Sequence, residues 1–192
     1  TPDIVEAHEK GIIHFHDADY FAQHMHNCCL VNLEDMLQNG TVMNGKLIER
    51  SSRLVKRTTV MTQLITAISS SQYGGQTVNL SALAPFVRES YERTKEKYDK
   101  MPGLTDAQRE QYAHEDTLKD IEDAVQTFNY QINSMSNTNG QAPFVTVFAY
   151  LSEDGGKYKK EVAMIFEEFL KQRIKGMEND QGVPVTQEFP KL

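Results

Sequence analysis

Leu118, Ile121, Val125, Phe128, Ile132 and Met135 recur at spacings of three and four. That period makes one apolar stripe along a long helix, and such a stripe needs other elements to cover it. Thr105 reads as the cap of this helix, with one break expected near His114 to Asp116 and an end at Asn137 to Gly140. The chain has 192 residues, which suits one domain or a large piece of one, enough to bury a core around that helix.

The remaining pattern alternates between short extended runs and helices. Thr1-Pro2 starts a short helix that stops at Gly11, and Ile12 to Asp17 looks extended. Cys28 to Leu33 is an apolar run fit for a buried strand. Asn39-Gly40 and Asn44-Gly45 are turn signals that bracket a hairpin or loop. Ser51 or Ser52 opens a helix ending near Tyr73-Gly74-Gly75, and another begins near Ser81 and is broken by Pro102-Gly103. Residues 143–151 alternate and are rich in β-branched and aromatic side chains, which predicts a strand. Lys157 to Ile174 reads as a helix stopped by Gly176, and Val183 to Leu192 as extended. The order predicts an α/β fold with long helices between few strands. The final FPKL reads as a strand that wants a neighbour, and more protein is expected to follow it.

Charge narrows the partners. Lys plus Arg number 20 and Asp plus Glu 27, a net charge of −7, which argues against broad nucleic-acid binding. A nucleotide held by a few local donors stays open. Positive charge gathers at Lys46 to Arg57 and Arg88 to Lys100, both read as helices. No run approaches the roughly 18 apolar residues of a membrane helix, and no signal segment is evident. Cys28 and Cys29 are adjacent, and neighbouring Cα atoms sit only about 3.8 Å apart, too close for a comfortable disulfide. Reduced thiols in a cytoplasmic protein are the expectation.

Residues 14–33 hold four of the six histidines and both cysteines. Three readings compete. His14 and His16, and again His24 and His26, share the spacing that puts two side chains on one face of a strand; with Asp17, Asp19 and the thiols they form an inventory a metal could use. No paired C-x2-C pattern supports that. Alternatively, the histidines and aspartates tie loops together. The third reading is redox: strand alternation turns one of Cys28 and Cys29 inward and the other away, but spacing does not say which.

GIIHFHDADYF at 11–21 and HNCCLVNLEDML at 26–37 resemble the start of the catalytic barrel of class III anaerobic ribonucleoside-triphosphate reductases, which are glycyl-radical enzymes. SQYGGQT at 71–77, LAPFVRESYE at 83–92, NTNGQAPFVTVF at 137–148 and FPKL at 189–192 are similar to further family segments, in family order. The resemblance implies the first half of a ten-stranded α/β barrel built from two half-barrels around a finger loop. It implies reduction of ribonucleoside triphosphates to deoxyribonucleotides by glycyl and thiyl radical chemistry.

Within that chemistry, Cys28 matches the family cysteine on the first barrel strand, a hydrogen donor at one face of the ribose, and Cys29 falls at a packing position. His16, Asp17, Asn27, Asn139 and Gln141 are the implied substrate contacts. Glu49, Gln63 and Lys95, placed by their offset from Cys28, are the implied sites for a dNTP or ATP effector at a helical dimer interface. For Lys95 alone a solvated charged face is the stronger reading. The resemblance also implies a radical activating protein carrying an iron–sulfur cluster and S-adenosylmethionine, formate as reductant, and a homodimer.

Several family parts do not occur in these 192 residues: a finger-loop cysteine, an Arg-Val-Cys-Gly-Tyr radical motif, the paired C-x2-C zinc site and an ATP-cone. The expectation is therefore a single partial domain, inactive alone, with no cofactor or metal of its own. The alternative is a catalytically silent nucleotide-binding or dimerisation module.

Overall fold

Thr105 and Gln108 close a capping box, each side chain accepting from the other's backbone N–H, at 3.3 and 2.9 Å. The helix it starts, α5 (Asp106–Ser134), runs 29 residues without interruption in a computed structural model that describes residues 1–15, 26–71, 74–138 and 140–192. The break expected near His114 to Asp116 does not occur. Thr117 is buried there and donates to the Ala113 carbonyl at 2.7 Å, so a stretch that reads as polar stays helical and faces its neighbour. Leu118 is 44% exposed and lies off the buried stripe, which runs instead through Ala113, Thr117, Ile121, Val125, Phe128 and Ile132. That stripe packs against α3 (Leu54–Ser69), α4 (Ala84–Asp99) and α6 (Lys159–Lys175).

Three strands form a parallel sheet: β1 (Cys29–Val31), β4 (Gln76–Asn79) and β5 (Val145–Phe148), in the order β1-β4-β5. The sequence reading misses β4, whose Gln-Thr-Val-Asn carries one aliphatic residue. Past β5 the chain end adds a parallel bridge, Lys191 beside Thr146, with Val147 N–H on Lys191 O at 2.7 Å and Lys191 N–H on Val145 O at 2.8 Å. The neighbour that FPKL wants is therefore β5. Spatial order follows chain order, each parallel step returning through helices as parallel pairing requires. A doubly wound sheet would reverse that order.

Smaller elements lie between and before these. Helices α1 (Pro2–Glu9) and α2 (Leu33–Asn39) flank β1. Strands β2 (Thr41–Met43) and β3 (Lys46–Ile48) form the expected hairpin, turning at Asn44-Gly45 with φ of 51° and 73°, the sense a two-residue hairpin turn needs. Strands β6 (Met177–Glu178) and β7 (Pro184–Val185) form a second.

The two faces of the sheet differ. Val31, Gln76, Val78, Val145 and Val147 point to the helices and are at most 6% exposed. On the opposite row, Leu30–Thr77–Thr146–Lys191 by register, Leu30 is 71% exposed and Thr77 and Thr146 are half-buried, and among the described residues no helix covers it. The strand at Cys28 to Leu33 is therefore buried on one side only. Parallel sheets are ordinarily covered on both faces, so a bare one is a surface prepared for contact. The described fold is the expected α/β class, with three strands and a bridge in view.

The first basic stretch, Lys46 to Arg57, is not a helix. It is β3, a loop and the first turn of α3. Arg57 is fully buried, with Nε on the Ser51 carbonyl at 2.6 Å and its guanidinium 5.3 Å from the Phe86 ring centre. Burial, then the nearby Arg50, lowers its pKa from the ordinary arginine value, and Glu89 partly offsets this. The second stretch is helical, and its cations meet carboxylates of α5: Arg93 with Asp120 at 3.0 Å, Lys95 with Glu110 at 2.8 Å, Lys97 with Asp116 at 2.9 Å.

Candidate functional site

The loops that lead into the three strands meet at one end of the sheet. Cys29 N–H donates to Gly75 O at 3.2 Å, and Gln76 N–H donates to Phe144 O at 2.8 Å. A Cβ on Gly74 would lie 1.9 Å from Asn27 O, so only glycine lets these segments touch. A Cβ on Gly75 would stand 3.1 Å from the Phe144 ring. The glycine pair serves close approach of these segments.

The loop before β5 is anchored in turn to the end of α3. Asn137 Oδ1 accepts from Gln141 N–H at 3.0 Å, and Asn137 N–H donates to Gln141 O at 2.8 Å. Asn137 Nδ2 donates to Ser69 O at 3.3 Å, and Thr138 N–H to Ser70 Oγ at 3.3 Å. His26 N–H reaches Ser71 O at 3.3 Å, so the loop before β1 uses the same helix end.

Pairing resolves the two cysteines. Cys29 stands in register with buried Gln76 and packs against the core, while Cys28 is exposed. Strand alternation puts Cys28 on the side of Leu30, the uncovered face. Asn27 adjoins it, and its backbone lies against Gly74. Gln141, also exposed, lies in the anchored loop before β5. His16, Asp17 and Asn139 lie outside the described residues.

Thr77, which ends the YGGQT segment, and Thr146 are half-buried neighbours on the open face, and Thr146 escapes the sequence reading. The signal available was the two-residue period of 76–79, in which Gln76 and Val78 are buried and Thr77 and Asn79 are not. Gln76 itself faces the helices, donating from Nε2 to Ile65 O at 2.6 Å.

The histidine readings separate by position. His14 packs its ring 5.4 Å from that of His8, and the backbone of Phe15 donates to His8 Nδ1 at 3.0 Å, a loop-tying role. His26 is exposed, and His16 and His24 lie outside the described residues. Among the described residues no group of three or more His, Cys, Asp or Glu side chains could hold a metal ion.

The residues expected to contact an effector sit on three segments: Glu49 after β3, Gln63 on α3 and Lys95 on α4. Among the described residues no hydrogen bond or ion pair joins any two of them. Glu49 and Gln63 are exposed, and the Lys95 ammonium is bound to Glu110. That hydrogen bond holds Glu110 below the usual carboxylate range and raises Lys95.

The fold and site define an α/β protein with a three-stranded parallel sheet and an exposed cysteine, Cys28, just before its first strand, where three loops converge. The sequence profile of the anaerobic ribonucleoside-triphosphate reductases matches residues 1–192, and the chain belongs to that family. It is 39% identical over 192 residues to the anaerobic ribonucleoside-triphosphate reductase of Enterobacteria phage T4, covering 98% of this chain and 30% of that protein. The enzymes of the same name from Escherichia coli K12 and Haemophilus influenzae are 38% and 39% identical over 193 aligned positions, each covering 99% of this chain and 26% of the relative. The chain thus spans under a third of the length of these relatives.

Proposed function

We propose that this chain is the substrate-facing first part of an enzyme that reduces ribonucleoside triphosphates to deoxyribonucleoside triphosphates. The observation that carries the reading is the exposed Cys28 thiol on the uncovered sheet face, where three loops converge. The bare face and the Lys191 bridge support a sheet that continues, as the wall of the ten-stranded barrel would.

In this reading Cys28 donates its thiol hydrogen to the ribose carbon, a transfer that close positioning favours. Asn27 and Gln141 hold sugar or phosphate oxygens from the loops beside it, and His16, Asp17 and Asn139 are assigned with them. Thr77 and Thr146 offer hydroxyls from the sheet. A glycyl radical, installed by the iron–sulfur and S-adenosylmethionine activating protein, supplies the oxidising start. Replacing the 2′ hydroxyl by hydrogen, with loss of water, takes two electrons and two protons; formate, leaving as carbon dioxide, supplies both electrons and one proton and so restores the Cys28 thiol, and solvent supplies the other proton. Glu49, Gln63 and Lys95 are the proposed effector contacts in a homodimer, and Lys95 must leave Glu110 to serve. A cytoplasmic location follows from this chemistry; no helix among the described residues is long and apolar enough to cross a membrane.

The test is an anaerobic assay of the full-length protein with its activating protein, formate and each ribonucleoside triphosphate. Deoxyribonucleotide and carbon dioxide in equal amounts support the reading. Nucleotide binding without product makes the protein the silent module instead.

A further inference from the structure

Away from the thiol face, α5, α6 and the segment before Phe189 line a half-open cavity of about 290 Å³. Its lining includes Asn129, Gln187, Glu122, Glu168, Tyr130 and Lys175. Asn129 is 1% exposed and Gln187 8%, and Asn129 Oδ1 and Gln187 Oε1 are both buried without a hydrogen-bond partner. Buried polar atoms are nearly always bonded, so two orphans in one cavity wall call for a donor.

The orientation of the Asn129 amide follows from its neighbours. Gln172 Nε2 donates to Glu122 O at 3.1 Å and to Glu168 Oε1 at 2.9 Å, both of which only accept. Gln172 Oε1 is therefore the acceptor for Asn129 Nδ2, at 3.4 Å. Asn129 Oδ1 is left as an acceptor and is not interchangeable with the amine. The charges agree in sign: Glu122 and Glu168 line the cavity with Lys171 and Lys175, and because the ammonium of Lys171 is taken by Glu167 at 2.8 Å, two carboxylates stand against the one ammonium of Lys175. Two neutral amide oxygens, two carboxylates and no imidazole or thiol suit an ammonium group better than a transition metal. The volume exceeds that of a bare ion, and the Tyr130 ring offers a face to an alkyl chain or its charge. Terminal amide torsions are soft, so both oxygens can turn to an entering N–H.

We propose that this cavity is a binding site for a small alkylammonium ligand, held by Asn129 Oδ1 and Gln187 Oε1 and balanced by Glu122 and Glu168.

The probe is butylammonium chloride, titrated into the full-length protein by calorimetry and thermal shift at constant ionic strength, with sodium chloride as control. Saturable binding and a raised Tm are expected, with Gln187→Met and Asn129→Leu each weakening binding about tenfold or more, as loss of a hydrogen bond to a charged group does. Should either variant fail to fold, the exposed-side change Glu168→Gln decides, with a severalfold loss expected. No saturation up to about 50 mM, beyond which only nonspecific association is read, overturns the proposal. So does binding that the three substitutions leave unchanged, or a preference for acetate, which would mean the amides present their NH2 groups.

Discussion

The two faces of the β1-β4-β5 sheet are built from neighbouring residues of the same strands, yet they do different work. The helix side is aliphatic except for Cys29 and Gln76, whose amide is committed to Ile65 O. The bare side carries Leu30, Thr77, Thr146 and the Cys28 thiol. Stability is concentrated on the first face, leaving the second free to hold groups that contribute little to folding and can be spent on chemistry. A one-residue slip of β1 would exchange Cys28 and Cys29 and reverse those roles.

The sharpest contrast is between core and bare face. Phe128→Ala, beneath the helix side, should cost about 3–5 kcal/mol, whereas Leu30→Ser should change stability by no more than about 0.5 kcal/mol in this chain. Urea denaturation of both variants measures the difference; equal losses would mean that the second face is also structural. Next is Gly74→Ala, which drives a methyl into Asn27 and should cost about 1–3 kcal/mol as an overpacked contact does, while weakening substrate binding through displacement of Cys28. The smallest effect is on acid stability. Asp116, held low first by its hydrogen bond from Lys97, and Glu110, held low first by Lys95, stabilise the α4–α5 pair at neutral pH. Because their folded pKa values lie below the unfolded ones, this contribution is present above the ordinary carboxylate range and lost as pH falls through the folded values. Asp116→Asn should flatten the acid limb of a Tm-versus-pH curve, and high salt should shrink the effect, since these pairs are largely solvent-screened.

Much of this architecture was legible in local pattern. The α5 stripe, its Thr105 cap, the Asn44-Gly45 turn and the strand at 145–148 each follow from side-chain period or backbone preference. The misses have physical causes. Strand β4 escaped because its inward residues are Gln76 and Val78, and a buried amide looks like a loop residue until Ile65 O is placed beside it. The false break in α5 came from the polar run His114 to Asp116, whose neighbour Thr117 is buried and donates to its own helix. Arg57 was counted as surface charge, although it packs on Phe86. The candidate site was legible as a set of motifs and not as a place. Asn27 and Gly74, and again Gly75 and Phe144, lie far apart in sequence and meet only through parallel pairing. Alternation required that Cys28 and Cys29 face opposite ways, and register with Gln76 settled which one faces the core.

The most direct test is to compare Cys28→Ala with Cys29→Ala in the full-length enzyme, assaying deoxyribonucleotide formation under anaerobic conditions with nucleotide binding measured alongside. The first variant should lose turnover by about a thousandfold or more while binding effector and folding normally, and the second should keep most of its activity. Retention of activity in the first variant, or its loss only in the second, would contradict the assignment of the bare face as the reacting one.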